Sequence, residues 1–126
     1  MGYSIGKAAE KTGLSTYTLR YYEKEGLLPF VERTDSGTRC FKDSDFEWLA
    51  MINCLKNTGM SIKDIREFVG WCMEGDGTLE KRLAMFCAQK KEVEAKMEEF
   101  QHYLDKLEFK ISYYEAAIEE AGKKHA

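Results

Sequence analysis

The sequence predicts a mainly α-helical protein, in which a winged helix-turn-helix head is followed by a long dimerisation helix that forms a coiled coil. Three observations predict this fold class: two short helical segments on either side of Gly13, a turn at residues 35–37 between two short apolar segments, and an unbroken heptad pattern over residues 78–121. The chain has 126 residues, a third of them charged and only one proline, which is typical of a solvated helical protein. A catalytic barrel needs about 250 residues and is excluded.

Polar caps and a glycine delimit the first two helices. Ser4 is the predicted N-cap of the first helix, Gly13 provides the permissive residue after its end, and Ser15 is the predicted N-cap of the second. Two short helices joined by such a turn form a helix-turn-helix, here at about residues 5–24.

The rest of the head is predicted to contain a β-hairpin and two more helices. The hairpin, or wing, covers about residues 29–41, and Pro29 limits its first strand to a sheet edge or a strand start. A helix follows over about residues 44–57. Another begins at Ser61 and gives a second wing over about residues 61–72, so the head spans residues 3–72 and a linker follows at residues 73–77.

Residues 78–121 are predicted to form one dimerisation helix, followed by a tail at residues 122–126. Its apolar residues recur in alternating steps of four and three for more than five heptads, or about 60 Å of helix at roughly 1.5 Å per residue. A single helix cannot bury this seam by itself, so we expect a homodimer, whose strand orientation the periodicity leaves open. Lys90 either fixes the register or extends out of the seam. The seam comprises Leu79, Leu83, Phe86, Lys90, Val93, Met97, Phe100, Leu104, Leu107, Ile111, Tyr114 and Ile118.

A winged helix-turn-helix on a dimerisation helix is the layout of a DNA-binding dimer, whose second helix enters the major groove while the wing follows the backbone. Hydroxyl groups, an arginine and aromatic rings on the second helix suit base edges and phosphates. The alternatives are a packing role for one tyrosine, Tyr22, and simple solvation for the wing arginines. The candidate contacts are Ser15, Thr16, Tyr17, Thr18, Arg20, Tyr21, Tyr22, Arg33, Gly37, Thr38 and Arg39.

The charge distribution supports this interpretation, although the formal net charge is −3. Residues 1–66 carry ten basic and nine acidic residues, whereas residues 67–126 carry nine and thirteen. Four of the five arginines lie in the first part, and arginine is well suited to binding phosphate.

The cysteines predict no metal site, cofactor or disulfide framework, because the four are spaced singly and neither histidine lies near them. No signal peptide and no apolar run of about 18 residues is found, so we expect a cytoplasmic protein. A thiol-dependent enzyme would need a paired cysteine or a nearby base, and an adaptor without DNA binding would leave the wing without a purpose.

Six segments of the chain resemble the MerR family of bacterial transcription regulators. They are Tyr3-Ser4-Ile5-Gly6, Thr12-Gly13-Leu14-Ser15, Thr18-Leu19-Arg20-Tyr21-Tyr22-Glu23, Gly26-Leu27-Leu28-Pro29, Arg33-Thr34-Asp35-Ser36-Gly37-Thr38-Arg39 and Gly59-Met60-Ser61-Ile62-Lys63-Asp64-Ile65. The chain departs from the family pattern at Thr38 and Phe41, where the family's wing has tyrosines.

The resemblance implies a homodimer with an antiparallel coiled coil, bound to a pseudo-palindromic promoter whose spacer it distorts for RNA polymerase. It adds Ser61 and Lys63 as contacts from the second wing. No cysteine follows the dimerisation helix. The segments Ile52-Asn53-Cys54-Leu55-Lys56 and Glu74-Gly75-Asp76-Gly77-Thr78 resemble short members that respond to aldehydes and nitrosative stress. In those regulators a cysteine matching Cys54 is the proposed sensor, and the alternative is a small buried residue. Cys40, Cys72 and Cys87 are expected to pack.

Overall fold

The computed structural model describes residues 2–125, with side chains through residue 124. Its contacts divide the chain into two compact units, residues 1–85 and 86–126. The fold class is confirmed, since an α-helical head with a hairpin precedes one long helix. The elements are α1 (Ile5–Thr12), α2 (Thr16–Lys24), β1 (Glu32–Arg33), β2 (Arg39–Cys40), α3 (Asp43–Asn57), α4 (Ile62–Glu74), a 3₁₀ turn (Asp76–Thr78) and α5 (Leu79–His125).

The predicted caps of α1 and α2 are confirmed. The Ser4 hydroxyl accepts a hydrogen bond from the Lys7 amide at 3.2 Å, and the Ser15 hydroxyl accepts one from the Thr18 amide at 3.1 Å. Gly13 ends α1 in the left-handed conformation, at a φ of 75° that residues with a Cβ rarely adopt. These caps fix the turn between the two helices.

The strands of the wing are short, and the first of them begins later than predicted. The wing is predicted from about residue 29, but the ladder pairs only Glu32 with Cys40 and Arg33 with Arg39, and the preceding Leu27 and Leu28 are buried. Burial of the two leucines holds this segment against the head. Pro29 has no amide hydrogen to donate, so pairing begins after it.

A contact that the sequence analysis did not predict closes the wing at its base. Tyr3 and Phe41 form an antiparallel bridge through two backbone hydrogen bonds of 2.7 and 2.9 Å. Phe41 is fully buried, whereas the tip of the hairpin is exposed. The N-terminal segment therefore fastens the base of the wing to the head.

One apolar core holds the head together and draws on α1, α2, α3, α4 and the segments around the wing. Trp48 borders it, stacks on Phe68 at 5.8 Å between ring centroids and donates its indole N–H to the Leu27 carbonyl at 2.7 Å. The buried apolar residues are Ala8, Leu19, Tyr22, Leu27, Leu28, Phe41, Leu49, Ile52, Leu55, Ile65, Phe68 and Val69.

The predicted linker at residues 73–77 is largely helical or hydrogen-bonded. α4 continues to Glu74, and the buried Thr78 hydroxyl donates hydrogen bonds to the carbonyls of Trp71 and Gly75, at 2.6 and 2.8 Å. Arg82 donates to the Thr78 hydroxyl at 3.0 Å and to the Gly75 carbonyl at 2.6 Å. The carbonyls at the end of α4 are thus satisfied by the 3₁₀ turn and by the first turn of α5.

The long helix continues to His125, beyond the predicted boundary at residue 121, so most of the predicted tail is helical and Ala126 lies outside the described residues. Nine of the twelve seam side chains are apolar and 46–72% exposed in the single chain, Lys90 is exposed, and Phe86 and Val93 are half-buried. Across residues 2–125, no helix combines the length and apolarity needed to cross a membrane.

Candidate nucleic-acid interface

The outer face of α2 presents an aromatic ring and an unpaired cation. Tyr17 is 78% exposed and Arg20 is exposed. Within the described part of the chain, Arg20 is the one arginine that makes no ion pair or hydrogen bond. At the start of the helix the Ser15 and Thr18 hydroxyls bond to each other at 3.0 Å, and Thr16 lies beside them half-buried.

Tyr22 belongs to the core, and its assignment as a DNA contact is corrected. Its side chain is 0% exposed, and its hydroxyl donates a hydrogen bond to the Asn53 side-chain oxygen on α3 at 3.1 Å. Burial raises the pKa of Tyr22 above its ordinary value of 10.0, and Tyr21 adds to this. The packing alternative therefore holds for this tyrosine.

Tyr21 lies at the border between core and surface. Its half-buried ring stands 6.2 Å from the Tyr22 ring, and the Lys56 ammonium of α3 lies 5.4 Å from the centroids of both rings. A cation over an aromatic face is attractive, so this contact places a positive charge from α3 beside the exposed face of α2.

The wing arginines are held by a glutamate that the sequence analysis did not single out. Glu23 of α2 forms ion pairs with both Arg33 and Arg39, and Arg33 also donates to the Gly37 carbonyl at 2.8 Å. The simple solvation of these arginines is thus excluded in this structure. Glu23 directly follows Arg-Tyr-Tyr, but the pairing joins residues ten and sixteen positions apart, which no local pattern indicates.

The tip of the wing is a tight, exposed turn. The Thr34 amide donates to the Thr38 carbonyl at 2.7 Å, and the Gly37 amide donates to the Thr34 carbonyl at 2.8 Å. Gly37 has a φ of 86°, which requires glycine in practice. The turn therefore exposes backbone and hydroxyl groups without a bulky side chain.

The second wing consists of the start of α4. The Ser61 hydroxyl caps this helix by accepting from the Asp64 amide at 3.1 Å, and Lys63 is exposed. Arg66, one turn later, forms an ion pair with Glu25 at the end of α2. The candidate contacts thus lie on α2, the hairpin and the start of α4, within one compact unit.

The four cysteines are free thiols in different environments. Cys54 is exposed on α3, so the alternative of a small buried residue is wrong for it. Cys87 is exposed as well, which contradicts its expected packing within the chain. Cys40 and Cys72 are half-buried, and burial raises the pKa of the Cys72 thiol although Arg82 acts in the opposite direction.

Comparison with known proteins agrees with this geometry. The model of the MerR HTH family regulatory proteins matches residues 3–70. An uncharacterised HTH-type transcriptional regulator of Haemophilus influenzae is 51% identical over 117 residues, which is 93% of this chain and 87% of that protein.

Two solved structures are similar over most of their length. HiNmlR, a MerR family regulator lacking the sensor domain, was solved bound to promoter DNA; it has a TM-score of 0.86, 51% identity and 93% coverage of both chains. A MerR family regulator from Listeria monocytogenes has a TM-score of 0.88 and 34% identity, with 97% of this chain and 92% of that chain covered.

The substitution Tyr22→Phe separates packing from DNA contact. Loss of the hydrogen bond to Asn53 should lower the free energy of unfolding by about 1 kcal/mol in urea titrations, while DNA affinity stays unchanged. Because the folded-state pKa of Tyr22 is raised, its contribution is present below pH 10.0 and lost as the pH rises through that pKa, a loss that the variant should lack. Weaker DNA binding with unchanged stability would contradict the core assignment.

Proposed function

The chain belongs to the MerR family of DNA-binding transcription regulators, and we propose that it binds a pseudo-palindromic promoter as a homodimer. It is a regulator rather than an enzyme. The observation that carries the proposal is Arg20, which lies exposed on α2 with its guanidinium free of intramolecular partners among the described residues. A guanidinium in this position can bind a phosphate or the edge of a guanine.

The proposed DNA contacts come from three elements of the head. The α2 side chains enter the major groove, the hairpin follows the adjacent backbone, and the N-terminus of α4 adds phosphate contacts through its free amides and a lysine. Tyr22 is excluded by its burial. The contacts are Ser15, Thr16, Tyr17, Thr18, Arg20 and Tyr21 from α2, Arg33, Gly37, Thr38 and Arg39 from the hairpin, and Ser61 and Lys63 from the second wing.

The proposed homodimer forms through the seam of α5. Its exposed apolar side chains repeat every 3.5 residues on average, and two copies packed in an antiparallel coiled coil would remove them from water. Lys90 interrupts the seam once and would help to fix the register.

We further propose that the bound dimer distorts the promoter spacer so that RNA polymerase can use it. The HiNmlR structure bound to promoter DNA supports the first step, the binding of a promoter by a protein 51% identical to this chain. Bending and untwisting cost deformation energy, which the contacts of two heads on one duplex can offset. Such a regulator acts in the cytoplasm, where bacterial promoters and polymerase are found.

Cys54 is proposed as the site at which an electrophile such as an aldehyde changes activity. Its exposed thiol is accessible, and its neighbours along α3 face inward: Asn53 accepts the Tyr22 hydrogen bond, and Leu55 is buried. Addition of the Cys54 sulfur to an aldehyde carbonyl would place new bulk next to the residues that support α2.

The substitution Arg20→Ala should abolish specific promoter binding while the dimer stays intact. Gel-shift titrations on a promoter fragment identified by genome-wide footprinting measure the affinity, and sedimentation measures the assembly. Wild-type binding should weaken steeply with salt, because phosphate contacts release counterions. Lys91→Ala, which removes one exposed positive charge from α5, is the matched control, and retained tight binding by Arg20→Ala would show that α2 is not the recognition helix.

The substitution Leu107→Asp should convert the dimer to monomers, because it places a charge in the seam. Phe109→Asp is the matched control, since Phe109 is at least as accessible as Leu107 in the single chain, at 71% against 62%, but lies off the seam. Sedimentation velocity distinguishes the two variants. Dissociation by both, or by neither, would contradict the assigned seam.

The substitution Cys54→Ser should remove the response of promoter activity to aldehyde without changing basal promoter binding. Cys87→Ser is the matched control, because Cys87 is also exposed on a helix. Reporter transcription and mass spectrometry of the treated protein measure response and adduct. Full induction of the Cys54→Ser protein by aldehyde would overturn the sensor assignment.

A further inference from the structure

We propose that Glu23 is a positioning residue for DNA binding, whose single carboxylate holds both wing arginines so that the hairpin meets the DNA backbone already ordered. This inference rests on the proposed function, because it assigns the wing arginines to phosphate.

The two carboxylate oxygens of Glu23 serve different arginines. Oε1 accepts from the Arg33 Nη2 group, and Oε2 contacts the Arg39 Nε group. Arg33 uses its other terminal nitrogen, Nη1, to donate to the Gly37 carbonyl at 2.8 Å. One side chain of α2 is therefore connected to both strands of the hairpin and, through Arg33, to its tip.

The register of the hairpin explains why such a connection is needed. Arg33 and Arg39 are direct cross-strand partners, and like charges placed opposite each other destabilise a strand pair. Each strand has only two residues, and a two-stranded hairpin is marginally stable by itself. A carboxylate that lies between the two guanidinium groups attracts both of them and offsets the repulsion between them.

Burial distinguishes the ion pair between Glu23 and Arg39 from an ordinary surface ion pair. The Glu23 side chain is 18% exposed and the Arg39 side chain 27%, and the contacting Oε2 and Nε atoms are closed off from solvent. Neutralising one member of such a pair leaves the other charge without compensation in a poorly solvated place. The geometry of Arg39 thus depends on Glu23.

The pairing leaves donors for the nucleic acid. A guanidinium carries five N–H donors, and Arg39 contacts Glu23 through its Nε group, which leaves both terminal amino groups for phosphate oxygens. Arg33 is half-exposed and keeps N–H groups that a second acceptor can reach. Glu23 therefore orients the arginines without consuming their capacity to bind DNA.

The direction in which Glu23→Gln changes promoter affinity distinguishes a positioning role of Glu23 from a purely electrostatic one. If Glu23 were only a nearby negative charge, its removal would strengthen DNA binding by removing repulsion or competition with phosphate. If Glu23 positions the wing, Glu23→Gln should weaken promoter binding about tenfold, because binding must then immobilise two long side chains. Glu10→Gln is the matched control, since Glu10 forms one exposed ion pair with Lys7 on α1.

A double-mutant cycle and an exchange measurement complete the test. Glu23→Gln should cause no further loss of affinity in the Arg33→Ala/Arg39→Ala background, whereas an additive loss would show that Glu23 acts by another route. Hydrogen exchange of the Thr34 and Thr38 amides without DNA should accelerate in Glu23→Gln and stay unchanged in Glu10→Gln. Wild-type promoter binding with equal or tighter binding by Glu23→Gln overturns this inference alone, and absence of wild-type promoter binding overturns the proposed function with it.

Discussion

The first two helices and the hairpin of the head are too short to be stable by themselves, and this constraint governs the rest of its structure. α1 has eight residues, α2 has nine, and each strand has two, whereas isolated helices below about 12–15 residues are marginal in water. α2 exists because Leu19 and Tyr22 bury one of its faces. The same burial fixes which residues remain outside, so the core that stabilises α2 also determines which of its side chains are exposed for the proposed DNA contacts.

Sequence reasoning succeeded where the determinants are local. The caps at Ser4, Ser15 and Ser61 and the glycine after α1 depend on neighbours within four residues, and the structure has them as predicted. The heptad pattern predicted one long helix for the same reason. What it could not provide was the partner of a side chain. Tyr22 lies three residues after the buried Leu19, a spacing that favours its packing, but the position of Asn53 on α3, which gives the Tyr22 hydroxyl its partner, has no local signal.

The wing shows the same division between local and distant determinants. Pro29 and Gly37 indicated a hairpin correctly, but its first strand begins later because Leu27 and Leu28 are buried in the core. The bridge from Tyr3 to Phe41 and the ion pairs of Glu23 join residues far apart along the chain. The count of charges also did not indicate which arginines are unpaired. Three of the four arginines in residues 1–66 form ion pairs with glutamates.

The junction between α4 and α5 has a mechanical consequence. Thr78 and Arg82 tie the first turn of the long helix to the carbonyls at the end of α4, so the chain turns this corner without a free linker. A rotation of the helix axis at Leu79 would break these hydrogen bonds unless α4 rotated with it. A change in the direction of the first turn of α5 is therefore passed on to the end of α4, the helix whose start forms the second wing.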